Sequence, residues 1–127
     1  MKIFVPIKEV SQRVPKKNFR LLNGEPLYKH SLLKYREFEV YVDTDSEKII
    51  DELKNDNRFS NVIAFKRDQN LEGHKVSVCD LIRNFIIKYD IDEPIVQLHV
   101  TSPFLNGDLV KKAFKYMDNH DLSLIHI

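Results

Sequence analysis

The chain has 127 residues, 20 Lys and Arg against 19 Asp and Glu, a formal net charge of +1 and 43% hydrophobic residues. This excludes a disordered chain, because there is enough apolar material for a core, and the length suits one domain. The balanced charge argues against generic nucleic-acid binding, the lack of a long apolar run against a membrane span or signal peptide, and the single Cys79 against an intrachain disulfide; a reducing cytoplasm is the expected setting.

Taken in chain order, residues 3–7 are an apolar, β-branched run and read as a strand. Residues 12–24 show no periodicity and read as loop. Pro26 suits the first turn of a helix, with Leu27, Leu32, Leu33 and Tyr35 as its apolar face. Residues 39–42 read as a second strand. Thr44-Asp45-Ser46-Glu47 matches a capping box, in which the Thr44 hydroxyl and Glu47 carboxylate satisfy N–H groups at a helix start; Ile49, Ile50 and Leu53 form the buried stripe that follows. Residues 61–65 read as a third strand.

Val78, Leu81, Ile82, Phe85, Ile86 and Tyr89 recur at three- and four-residue spacing and define a helix, with Cys79 expected as a small buried residue on it. Residues 94–100 are nearly continuously apolar, as in a strand buried on both faces. Residues 106–108 open a further helix with Leu109, Val110, Ala113, Phe114 and Met117 inward, and residues 122–127 read as a fifth strand. The β-α-β-α-β-α-β-α-β order predicts an α/β fold, a Rossmann-like, mostly parallel sheet with helices on both faces. Ligands of such sheets bind beyond the carboxyl ends of the strands, which directs attention to the segments after Ile7, Val42, Phe65 and Val100.

The segment from Lys8 to Arg20 holds Lys8, Arg13, Lys16, Lys17 and Arg20 against the single acid Glu9. A cation-rich loop at a strand end suits a polyphosphate, and composition alone fits a solvated basic loop equally well. The loop is neither a Walker A motif nor a dinucleotide fingerprint, since the chain's three glycines stand at 24, 73 and 107. Asp43 and Asp45 could be read as a metal pair, but Asp45 lies in the helix-start turn, and a turn or capping role is expected for both.

PIKEVSQRVPKKNFRLLNGEPLYKHSLL resembles the first motif of the acylneuraminate cytidylyltransferase family, a strand followed by P-x-[RK]-x-x-S-x-R-x-P-x-K-N and L-x-G-x-P-L. Three further blocks follow in the family's order. VYVDTDSEKI resembles its second strand and S-T-D-S turn, FKRDQNLEGHKVSVCDLI the block with an arginine and a helix lining the base pocket, and VQLHVTSPFL the L-Q-P-T-S-P-L segment. Four ordered blocks over residues 3–105 are far more specific than one motif.

The resemblance implies transfer of CMP from CTP to the hydroxyl of a sialic-type sugar acid with release of pyrophosphate, a reaction that depends on positioning and charge stabilisation. It implies catalytic roles for Lys17, Lys8 and Arg13, and nucleotide contacts for Lys8, Ser11, Arg13, Lys17, Asn18, Arg67 and Ser77. It further implies acceptor contacts for His99, Thr101 and Ser102. Arg67 could instead pair with Asp68 at the surface, and His99 could be a plain strand-end histidine. Mg²⁺ is the implied cofactor, its ligands a late aspartate pair beyond these residues, so no metal site is expected in this chain. CTP and a sugar acid are the implied partners, with no nucleic acid or membrane, and a homodimer for the longer protein.

Departures from the family pattern place the sequence in a divergent branch. Ile7-Lys8-Glu9-Val10-Ser11 stands where A-R-G-G-S is usual, losing glycines that ease close approach to phosphate and trading an arginine fork for the point charge of Lys8. His99-Val100 replaces Gln-Pro. By the same resemblance, residues 1–127 are expected to be the N-terminal nucleotide-binding part of a longer cytidylyltransferase domain, an incomplete fragment. LSLIHI resembles a translated sequencing adapter, which would make 122–127 non-native. Alternative readings are another NTP–sugar nucleotidyltransferase on this fold or a catalytically inactive nucleotide-binding module.

Overall fold

The computed structural model describes residues 2–8, 21–71, 76–99, 106–120 and 123–126. Its first strand, β1 (Lys2–Ile7), is apolar on both faces: Ile3, Val5 and Ile7 belong to one hydrophobic cluster and Phe4 to another. A strand of that kind needs cover on both sides and a central place in a sheet. The chain then forms a short hairpin of β2 (Leu21–Leu22) and β3 (Glu25–Pro26), helix α1 (Leu27–Leu33), β4 (Glu39–Thr44), α2 (Glu47–Lys54), β5 (Val62–Lys66) and α3 (Val78–Tyr89). It continues through β6 (Ile95–Gln97), α4 (Gly107–His120) and β7 (Leu124–His126). Five of these strands make one sheet in the order β5-β4-β1-β6-β7, every neighbouring pair parallel. The expected α/β architecture is thus present.

Alternation along each strand separates two cores. On one face Ile3, Val5, Ile7, Val40, Val42, Val96 and Leu98 pack against Tyr28 and Leu32 of α1, Ile49 and Leu53 of α2, and Val110, Phe114 and Met117 of α4. On the other, Phe4, Tyr41, Phe65 and Ile95 pack against Leu81, Ile82 and Phe85 of α3. From β1 to β4 to β5 the chain moves one way across the sheet with α1 and α2 on the first face. From β5 to β6 it moves back with α3 on the second. From β6 to β7 it keeps that direction, yet α4 returns to the first face. Opposite travel on the same face means the β6-α4-β7 crossover has the opposite hand to the other three, an exception to the strong right-handed rule. The contacts that hold α4 there are Phe114 against Phe38, with ring centroids 6.0 Å apart, and the close approach of Gly107 to the Lys34 carbonyl, which an added Cβ would meet at 3.3 Å.

Several local expectations are corrected. Within the described part of the segment read as loop, Asn23 and Gly24 take φ of 53° and 84° and join β2 to β3. Asn-Gly is the sequence best suited to such a two-residue turn, and it was the signal that could have revealed the hairpin. The helix-start at Thr44 also shifts. Thr44 is still in β4, paired with Ile7 and Lys66, and its hydroxyl accepts from the Ser46 N–H at 3.1 Å. Ser46 is the N-cap, accepting from the Ile49 N–H at 3.3 Å. Cys79 is exposed, because the buried stripe of α3 is narrower than the apolar pattern suggested, and Ile86 lies at its edge, 37% exposed. Leu109 is likewise outward at 39%. Asn106 caps α4, its Oδ1 accepting from the Leu109 N–H at 2.9 Å.

Away from the sheet ends, one charge cluster ties elements together. The Arg58 Nη2 lies 2.7 Å from Asp56 Oδ2 and 2.6 Å from Glu25 Oε1, linking the turn after α2 to β3. The Arg58 guanidinium holds the Asp56 carboxyl down at about 2. A folded-state value below the ordinary 3.8 means that this carboxylate adds stability above that range and loses it as pH falls toward 2. Arg58→Met should therefore flatten the acid limb of stability between about pH 4 and 2 relative to wild type. Urea unfolding across that range checks it, and parallel limbs for the two proteins would refute it.

Candidate functional site

The strand order reverses between β1 and β6, the chain going to β4 and β5 on one side and returning to β6 and β7 on the other. Crevices at such a switch point, beyond the carboxyl ends of the strands, are where open α/β sheets bind ligands. The pairing here opens toward that end. The β1–β4 register runs to Ile7↔Thr44, whereas the β1–β6 register stops at Phe4↔Gln97, followed by one further bond from the Leu98 N–H to the Phe4 carbonyl at 3.0 Å. Pro6, with no N–H to offer, falls in the part of β1 past its β6 pairing, the place a sheet proline is tolerated.

Along the α3 face the strands change character as they approach this end. Phe4, Tyr41, Phe65 and Ile95 are apolar, but the next positions of the same alternation are Asp43, Arg67, Gln97 and His99, with Lys8 following Pro6. Lys8 ends the described part of β1's exit and is half-buried. His99 is exposed on the other lip, its Nε2 3.5 Å from the amide nitrogen of Gln97, which is itself buried. Gln97 lies inside an apolar run that hides it in sequence; a lone amide at that point of the alternation is the available clue.

Asp43 and Arg67 form a buried ion pair, with 0% and 1% of their side chains exposed. The Arg67 Nε donates to Asp43 Oδ1 at 2.6 Å, its Nη2 donates to the Asp43 carbonyl at 3.2 Å, and its main-chain N–H donates to the Thr44 carbonyl at 2.8 Å. Burial pushes the Asp43 carboxyl above its usual range, with Arg67 opposing. The alternative partner for Arg67, Asp68 at the surface, gives way to buried Asp43, and the turn or capping role expected of Asp43 is corrected: it is a strand residue in an ion pair. Asp45 lies in the bend between β4 and α2, as expected, and its carbonyl accepts from the Lys66 ammonium.

Ser77 is at the start of α3, as expected, and its hydroxyl is engaged in a capping box. It accepts from the Asp80 N–H at 3.2 Å, while Asp80 Oδ2 accepts from the Ser77 N–H at 3.2 Å. That helix start therefore already carries a complementary negative charge. Ser11, Arg13, Lys17, Asn18, Thr101 and Ser102 lie outside the described residues, in the segments that follow β1 and β6 in sequence. Among the described residues no group of three His, Cys, Asp or Glu could hold a metal ion, and Asp43 Oδ1 is taken by Arg67. No helix among the described residues is long and apolar enough to cross a membrane.

A family model described as Cytidylyltransferase matches residues 3–125. The chain is 27% identical over 124 residues to an N-acylneuraminate cytidylyltransferase of Streptococcus agalactiae serotype V, covering 93% of this chain and 29% of that protein. It is 30% identical over 124 residues to a pseudaminic acid cytidylyltransferase of Campylobacter jejuni, covering 91% of this chain and 52% of that protein. A CMP-N,N'-diacetyllegionaminic acid synthase of Legionella pneumophila is 26% identical over 117 residues, covering 86% and 49%. The chain thus spans from under a third to about half of the length of these curated relatives. Among solved structures, a CMP:2-keto-3-deoxy-manno-octonic acid synthetase complexed with CTP superposes with a TM-score of 0.68 at 19% identity, over 94% of this chain and 47% of that one. At that identity the likeness speaks to the fold.

Proposed function

This chain belongs to the cytidylyltransferase family, and from that premise we propose that it forms the nucleotide-handling part of an enzyme that transfers CMP from CTP to a nonulosonic-type sugar acid. A hydroxyl oxygen of the acceptor attacks the α-phosphorus of CTP and gives up its proton to water, the bond from that phosphorus to the β-phosphate bridge breaks, and pyrophosphate leaves with the electron pair. The observation that carries this reading is the switch point between β1 and β6, where β6 pairing stops at Phe4, three residues before β1 ends and the chain runs on in sequence to the basic segment that begins at Lys8. The relatives' names, which specify acylneuraminate, pseudaminic and legionaminic acids, support the substrate class.

In this reading Lys8, Arg13 and Lys17 offset charge that develops at the α-phosphate and on the departing pyrophosphate, while Ser11 and Asn18 hold the nucleotide. Arg67 and the start of α3 at Ser77 stand on the base side, and His99, Thr101 and Ser102 on the acceptor side. A phosphoryl transfer needs little covalent help from protein, so fixed cations beside the reacting phosphate are the main requirement.

The test is ligand stabilisation of the 127-residue protein. At a concentration one hundred times its Kd, a ligand adds about 2.7 kcal/mol, several degrees in Tm for a domain of this size. CTP is expected to raise Tm by several degrees more than ATP or GTP, and Lys17→Ala to remove most of that shift while leaving the unliganded Tm in place. Equal shifts for all nucleotides would overturn the reading.

A further inference from the structure

The Asp43–Arg67 pair is only half complementary. An arginine fork can meet both oxygens of a carboxylate, but here Nε takes Oδ1 and Nη2 takes the main-chain carbonyl of the same residue. Asp43 Oδ2 is left buried with no hydrogen-bond partner among the described residues. A buried carboxylate oxygen without a donor is unfavourable and calls for an explanation.

Its position supplies one. Asp43 pairs in register with Pro6 on one side and Phe65 on the other, and β4 and β5 end one residue later at Thr44 and Lys66. Asp43 is therefore one residue short of the carboxyl end of β4, the end at which sheets of this kind bind ligands, and it shares the strand alternation that carries Lys8 and His99. An ionised carboxylate only accepts hydrogen bonds. It favours a ligand that presents an N–H there and disfavours one that presents a carbonyl.

We propose that Asp43 reads the nucleotide base: Oδ1 anchors Arg67, and Oδ2 accepts a hydrogen bond from the exocyclic amine of cytosine. Uracil places a carbonyl oxygen where cytosine has that amine, and two acceptors facing each other in a buried site repel. The pair thus selects CTP over UTP by attraction to one and repulsion of the other. This rests on the CTP reading above and adds to it a residue for base choice.

The experiment measures Kd for CTP and UTP by calorimetry on the 127-residue protein and on Asp43→Asn, with a thermal melt for each. Wild type is expected to prefer CTP by tenfold or more. Asparagine keeps an oxygen for Arg67 but offers an amide N–H toward the base, so the preference should fall to threefold or less, or invert. A purely structural role would weaken both nucleotides together and leave the ratio unchanged; an unchanged ratio in the folded variant overturns the proposal. If Asp43→Asn does not fold, Asp43→Leu/Arg67→Met removes both charges together, and it too should lose the preference; a retained tenfold ratio there overturns the proposal. A wild-type protein that binds both nucleotides equally removes the CTP reading itself, and this inference with it, an outcome distinct from a preference that survives substitution.

Discussion

Arg67→Ala is expected to lower the unfolding free energy by about 3–5 kcal/mol, the range for removing one partner of a buried charge pair. The loss comes less from the missing contact than from Asp43, which would remain buried with neither oxygen matched. Replacing both residues should be far milder. Asp43→Leu with Arg67→Met fills similar volume with apolar groups and is expected within about 1 kcal/mol of wild type, or above it. Urea unfolding of the three proteins checks the pattern; an Arg67→Ala protein as stable as wild type would refute it. The pH sense is opposite to that of Asp56. Because burial holds the Asp43 carboxyl above its usual range, its protonation favours the folded state at low pH, and that contribution disappears as pH rises through the raised value.

The second large effect is expected at Phe85, which is fully buried and central to the α3 face. Its ring stacks on Phe4 at 4.9 Å between centroids and meets Tyr41 at 4.9 Å, Tyr89 at 5.8 Å and Phe65 at 6.3 Å. Phe85→Ala should cost about 3–5 kcal/mol, the range for emptying a buried aromatic site. Among the described helices α3 alone covers that face, so there is no second helix to collapse into the cavity. A matching change at Ile87, which is 75% exposed, should cost little. Chemical denaturation of Phe85→Ala and Ile87→Ala side by side measures the contrast, and equal losses would refute it.

The order of strands and helices was readable because strong periodic signals coincide with elements that packing also favours. Val78, Leu81, Ile82 and Phe85 at helical spacing became α3, and the apolar run around Val96 became a doubly covered strand. Sequence failed where a residue's role depends on a partner far along the chain. Arg67 and Asp43 are 24 positions apart and meet because β4 and β5 pair in register, which no local pattern announces. Thr44 has the spacing of a cap to Glu47, but ladder pairing with Ile7 and Lys66 keeps it in the strand. Most of the candidate phosphate residues follow from family likeness in the segment after Lys8. The described structure speaks to the two lips of the crevice, at Lys8 and His99, and to the buried pair beside them.

The central position of β1 has a kinetic side. Its pairing with β4 joins Lys2 to Glu39, whereas its pairing with β6 joins Lys2 to Ile95. Closing the second loop fixes a much longer stretch of chain and must wait for α3 to form and dock. The strands β1, β4 and β5, with α1 and α2, can therefore assemble as an early unit, leaving one edge of β1 unpaired until β6 arrives. Slow exchange of amide protons should spread from the β1–β4 ladder outward, and the same late step that seals the sheet also creates the crevice beside Lys8.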